Sequence, residues 1–195
     1  MIEKALEFSN SESLKNFLDS NGIDTDIYGT GNAKDVDDLF SEIDSWETKL
    51  YVDPITQRVV REISLLSIDV LYQDFVAYEE KQVFKDNQWN ETTRERTRDL
   101  PVAISEKVHT NENTQDAIKR ALREEMEVIL NDSQINPYTE DIKELESPSF
   151  PQIWTIYNIL STSITLDESQ FKPEWYVEKQ IKKNTYIKWR KAQKN

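Results

Sequence analysis

Residues 110–130 read TNENTQDAIKRALREEMEVIL, and the fold turns on how that stretch is read. Counted from Ile118, the apolar positions recur at helical spacing. Ala121 and Leu122 share a face with Ala117 and Met126 beside it, and Ile129 returns to that face at the far end. One member of the stripe is charged. Glu125 stands one turn beyond Ala121 and one before Ile129. An isolated carboxylate is expensive to bury, so the position implies a cation, a hydrogen-bond network or a metal beside it. Glu124 adjoins it, Arg120 lies four residues before Glu124 at salt-bridge spacing, and Glu112 precedes the helix. Two adjacent helical carboxylates and a third on the preceding loop suit a hard divalent cation such as Mg²⁺. A solvated acidic face with Glu125 at its rim is the plainer reading of the same pattern.

Outward from the helix the chain is rich in strand signals. Residues 59–72 (VVREISLLSIDVLY) are β-branched and nearly continuous in apolar character, as in a central strand. Residues 75–84 (FVAYEEKQVF), the turn KDNQ and residues 89–98 (WNETTRERTR) predict a hairpin. A short strand is expected at LPVAI, residues 100–104, with Pro101 at its start or edge. Beyond the helix, residues 131–149 read as a polar loop and residues 153–166 (IWTIYNILSTSITL) as a strong strand. EWYVEK and NTYIKWRK close the chain as a strand and a basic segment. Before all of these, residues 11–19 and 33–46 carry helical periodicity, separated by NGIDTDIYGTGN, the loop that holds all three glycines. Asp35, Asp37 and Asp38 crowd the first turns of the second helix, where the macrodipole favours negative charge. The pattern is α+β: a helical extension over residues 1–46 and a main domain over residues 47–195.

Residues 106–128 resemble the Nudix box of the Nudix hydrolase superfamily. That box runs glycine, five residues, glutamate, seven residues, then Arg-Glu-aliphatic-x-Glu-Glu-x-Gly-aliphatic. Glu112 stands at its first glutamate, Arg120 at its arginine, Leu122 at the aliphatic position, Glu124 and Glu125 at the paired glutamates and Val128 at the closing aliphatic. The departures are Glu106 and Glu127 at the two glycines and Ala121 at the glutamate after the arginine. In catalytically active relatives that glutamate ligates metal or serves as base. The resemblance implies a Nudix-like α/β/α sandwich, with Glu112, Glu124 and Glu125 as the set for Mg²⁺ or Mn²⁺, and Glu124 and Glu125 as the catalytic pair. With Ala121 in place, a base has to come from Glu127, or from Glu79 or Glu80 on the hairpin, or from His109, the only histidine. Diphosphate hydrolysis needs both the metal and that base. The expected function is a Nudix-fold protein with a degraded box that binds a nucleotide- or diphosphate-type ligand, or a protein partner, without efficient catalysis. A divergent Mg²⁺-dependent pyrophosphohydrolase of a nucleoside diphosphate derivative is the alternative, and an acidic protein-interaction module the second.

Arg94, Arg96 and Arg98 alternate along the second hairpin strand, so their guanidinium groups share one face. Arg suits bidentate phosphate contact, and Arg94, Arg96 and Arg120 are the expected ligand-binding cations. Cross-strand pairing with Glu80 and Gln82 is the competing use of the row. Aromatic residues Phe150, Trp154, Tyr157, Trp175, Tyr176 and Trp189 gather in the last third, available for core packing or for stacking on a base.

Bulk composition sets the outer limits. A net charge of −13 argues against bulk nucleic-acid binding, which draws its affinity from neutralising cations. No glycine lies past residue 31, which removes any phosphate-cradling glycine loop of the P-loop or Rossmann kind beyond that point. No apolar run approaches the roughly 20 residues that span a bilayer, and MIEKALEFSNSES lacks the features of a secretory signal. The absence of cysteine fits a cytoplasmic or other reducing, soluble compartment.

Overall fold

The strand expected at residues 59–72 is β2, Val59–Tyr72, and its burial alternates along most of its length. The computed structural model describes residues 5–31, 33–86, 88–97 and 102–192. Two helices precede the strands, α1 (Ser11–Ser20) and α2 (Val36–Asp44), and one interrupts them, α3 (Thr114–Met126). The remaining strands are β1 (Lys49–Val52), β3 (Phe75–Lys85), β4 (Glu91–Arg96), β5 (Ile104–Val108), β6 (Thr139–Glu146), β7 (Trp154–Thr165), β8 (Tyr176–Lys179) and β9 (Lys183–Lys191). The chain is therefore α+β with helices at its N-terminal end. The strand order is β6-β7-β2-β3-β9-β8, with β1 and β5 on β2 and β4 on β3. No helix among the described residues is long and apolar enough to cross a membrane.

The chain divides into two compact units. The first comprises the described part of Met1–Leu65 with Lys107–Glu112 and Glu140–Ile159. Its core joins Leu14 and Leu18 of α1, Leu39 of α2, Leu50 of β1, and Phe150 and Ile153. Both helices begin where a side chain replaces the missing backbone acceptor. The Asn10 carbonyl accepts from the Ser13 N–H at 2.8 Å, and the Asp35 carboxylate from the Asp38 N–H at 2.7 Å. The Asp35 cap explains why α2 starts at Val36 rather than at residue 33. Inside this unit Glu42 is buried and carries Arg61, Lys34 at 2.7 Å and Lys107 at 2.9 Å on its carboxylate.

The second unit comprises Leu66–Glu106, Asn113–Thr139 and Leu160–Asn195, the last described only to residue 192. Here β3 pairs with β4 on one side and with β9 on the other. The hairpin is the expected one, with register Gln82↔Arg96 and Val83↔Glu95. Its turn is built on Asp86, whose carboxylate accepts from the N–H groups of Gln88 and Asn90 at 2.8 and 3.0 Å. Trp89 falls in that turn, not in the strand, with φ of 67°. NTYIKWRK lies in strand β9, where Thr185 and Ile187 are buried and Lys188 and Arg190 fall on the opposite face. Helix α3 packs against β8.

Three further expectations are corrected. The strand expected at LPVAI is β5, Ile104–Val108; Val102 and Ala103 bend into it, and Leu100 and Pro101 lie outside the described residues. The polar segment 131–149 is not a continuous loop, because Thr139–Glu146 forms β6 with every residue exposed. Backbone pairing at a sheet edge needs no buried side chain, so the strand leaves no apolar pattern. The third concerns Ile129. It does not continue the buried stripe of the helix: α3 ends at Met126, and Ile129 is 81% exposed.

Candidate functional site

Helix α3 starts on Asn113, whose side-chain carbonyl accepts from the Asp116 N–H at 3.0 Å. Its inner face is Ala117, Ile118, Ala121, Leu122 and Met126, all buried. Ala121 is thus a core residue, 0% exposed, where the resembled box has a functional glutamate. The helix closes on Glu127, which occupies the second glycine position and adopts the left-handed conformation at φ 57°. Its N–H and that of Val128 bond back to the carbonyls of Arg123 and Leu122 at 3.0 and 3.1 Å. Glycine suits such a position because it has no Cβ to clash; this chain fills it with glutamate.

Glu125, the charge in the apolar stripe, is half-buried on α3. Burial pushes its carboxyl up to about 9; the charges of Glu178 and Glu106 and a hydrogen bond with Glu178 push the same way, and Lys183 opposes them. The shift favours the protonated form of Glu125 at neutral pH, with Glu178 of β8 as its hydrogen-bonding neighbour. Glu178, on β8, is the functional neighbour the sequence did not announce: nothing in its local pattern links YVEK to a helix some fifty residues earlier.

The other box residues are engaged by cations. Glu124 is about half exposed and accepts from Arg120 at 3.3 Å. Arg120 is largely buried, at 14% side-chain exposure, and also faces Glu106 at 3.9 Å. Glu127 is exposed and meets Lys172 at 3.0 Å, a hydrogen bond that holds its carboxyl below the ordinary range. Glu80 pairs with Lys188 at 2.6 Å, and buried Glu79 accepts from the Gln82 amide at 3.3 Å. In the first unit, Glu112 closes the turn before α3: its N–H donates to the His109 carbonyl at 3.0 Å, and its carboxylate accepts from the His109 N–H at 3.4 Å. His109 is half-buried in that turn. Among the described residues, no group of three or more His, Asp or Glu side chains is gathered to hold a metal ion.

The arginine row behaves differently along its length. Arg96 donates to the Gln82 side-chain carbonyl at 2.7 and 3.2 Å, which is cross-strand pairing. Arg94 lies over the Phe84 ring at 4.5 Å, and no ion pair or side-chain hydrogen bond engages its guanidinium among the described residues. Arg98 lies outside them. Arg94 opens onto a pocket of about 830 Å³ lined also by Phe84, Lys85, Asp86, Trp89, Ile181 and Lys182.

No protein-family model matches the chain, and no curated protein matches it. Solved structures resemble part of it, among them two of bacterial proteins. The solution structure of the E. coli ORF135 protein is 14% identical over 66% of this chain and 72% of that one, with a TM-score of 0.35. The crystal structure of the mutator MutT protein from Bacillus halodurans is 14% identical over 65% of this chain and 68% of that one, with a TM-score of 0.30. Neither likeness bears on the chemistry of the site.

Proposed function

We propose that this chain is a binding protein carrying a Nudix-type box that has lost efficient catalysis, and that its ligand is a nucleotide- or diphosphate-type anion. The observation that carries the reading is Ala121, fully buried at the position where the box requires a carboxylate. The pairing of Glu124 with Arg120 and of Glu127 with Lys172 supports it, since each carboxylate is engaged by a cation. Arg94 supports the anionic ligand: its ring-stacked guanidinium keeps in-plane donors for an oxyanion.

The test is thermal unfolding with ADP and ADP-ribose, each with and without Mg²⁺ or Mn²⁺, while phosphate and mononucleotide release are followed. A ligand at about 100 times its dissociation constant adds roughly 2.7 kcal/mol, a shift of several degrees for a chain of this size. A shift without turnover is the expected result. Metal-dependent release of phosphate or a mononucleotide, abolished by Glu124→Gln, overturns the reading in favour of a divergent pyrophosphohydrolase using Glu112, Glu124 and Glu125. No shift with any compound overturns it in favour of a protein partner for the acidic surface.

A further inference from the structure

The turn of the β3–β4 hairpin and the turn joining β8 to β9 form the pocket onto which Arg94 opens, within the second unit. Its volume of about 830 Å³ lies within the roughly 300–1,000 Å³ of small-molecule sites. Its charge is opposite to that of the molecule. Lys85, Arg94 and Lys182 line it against the single carboxylate of Asp86, in a chain whose net charge is −13. Asp86 is committed to the backbone of the turn, where the Asn90 N–H and then the Gln88 N–H hold its carboxyl below the ordinary range. Lys85 is tied to the Gln180 carbonyl at 2.7 Å, which fixes its ammonium at the wall. Arg94 and exposed Lys182 have no carboxylate partner among the described residues.

The apolar lining is equally specific. Trp89 is 61% exposed and Ile181 70% exposed, while Phe84 supplies a ring already covered on one face by the Arg94 guanidinium. Trp89 is held there with φ of 67°, a left-handed conformation uncommon for a bulky residue, and its N–H bonds to the Asp86 carbonyl at 3.0 Å. An exposed indole in the same pocket as two cations without carboxylate partners suits a ligand with a flat ring and an anionic group on the same molecule.

We propose that this pocket binds a phosphate monoester carried on a flat ring, with the ring against Trp89 and Ile181 and the phosphate between Arg94 and Lys182. The proposal rests on the reading of the chain as a binder of anionic ligands, and it places a site outside the box. Two sources share this chemistry, a nucleoside monophosphate and an aryl phosphate. Trp89 contributes stacking, which tolerates either ring; Arg94 contributes paired donors, and Lys182 a mobile point charge.

The experiment titrates the full chain, in EDTA, with AMP, phenyl phosphate, adenosine and inorganic phosphate by calorimetry. AMP or phenyl phosphate is expected to bind at least on the order of tenfold more tightly than adenosine or inorganic phosphate, because only these join ring to charge. Which of the two binds more tightly identifies the source. Trp89→Ala and Arg94→Gln are each expected to weaken that binding on the order of tenfold. Lys182→Gln, at an exposed position that leaves the fold alone, is expected to weaken it and to flatten its salt dependence. Tight binding of AMP that none of the three variants alters overturns the site and leaves the binding function standing. No binding of AMP or phenyl phosphate to the parent chain, with ADP still raising the melting temperature, overturns the site alone. Absence of any response to AMP, ADP or phenyl phosphate overturns both.

Discussion

Two carboxylates lie on apolar helix faces, and the chain satisfies them in opposite ways. Glu42 on α2 is buried, which alone would raise its carboxyl, yet Arg61, Lys107 and Lys34 hold it down at about 2. Glu125 on α3 has no such surplus of cations and is pushed up to about 9, by burial first and then by Glu178 and Glu106. The sequence exposed the anomaly at Glu125, because the residue interrupts a regular stripe, but could not name its answer, because Glu106 and Glu178 come from separate strands. Glu42 carries the same signal, three residues after Leu39 on the apolar face of its helix. Removing the ionisable proton tests the difference. Glu125→Gln keeps a hydrogen-bonding group against Glu178 and cannot ionise. The folded carboxyl binds its proton more tightly than the unfolded one, so the parent loses stability as pH rises from about 4.5 towards 9. The variant is expected to melt roughly 3 °C or more above the parent at pH 8 and close to it at pH 5, as read by calorimetry. A fixed offset at both values would show that Glu125 is ionised throughout.

Among the elements, α3 is legible as a helix in its stripe and its start but not in its stop. Its stripe and its Asn113 cap follow from side-chain type, whereas its stop depends on Glu127 taking a left-handed conformation that no glycine announces. The ladder of exposed polar residues in β6 was illegible for the converse reason, since only pairing with β7 makes it a strand. The central strand β2 and the first hairpin strand β3 are legible because burial imprints a pattern on them. The stop of α3 carries a prediction. A left-handed conformation costs a non-glycine residue roughly 1–2 kcal/mol, and the exposed Lys172–Glu127 pair returns little of it. Glu127→Gly is expected to raise stability by about 0.5–1 kcal/mol in urea unfolding, after the glycine's extra unfolded-state entropy is set against the relief. Glu127→Ala keeps the strain, loses the pair, and is expected to lower stability slightly.

At the scale of the molecule, the same two carboxylates bound the pH range of stability. Glu42 lies below the ordinary value, so its contribution is fully present above about 4.5 and is lost as pH falls towards 2. Glu125 lies above it, so its cost starts near 4.5 and grows as pH rises towards 9. Both slopes place the maximum on the acid side of neutrality, and melting temperatures taken from pH 3 to 9 are expected to peak near pH 5. A peak above pH 7 would mean that other groups dominate. Much of the site is legible in the sequence as residues and little of it as relations: type and spacing single out Arg94, Arg120, Glu124 and Glu125, while Glu125 meets Glu106 of β5 and Glu178 of β8 and Arg94 meets Phe84 of β3.

The exposed strand β6 stands at the end of the strand order and carries Glu140, Asp141, Glu144 and Glu146 against the single charge of Lys143. Antiparallel pairing of two such strands about their midpoint would set Asp141 of each copy against Glu144 of the other, and like charges directly opposite repel. An edge that would otherwise template sheet growth from copy to copy is thereby kept apart by its own acidity. That protection weakens in strong salt and in acid.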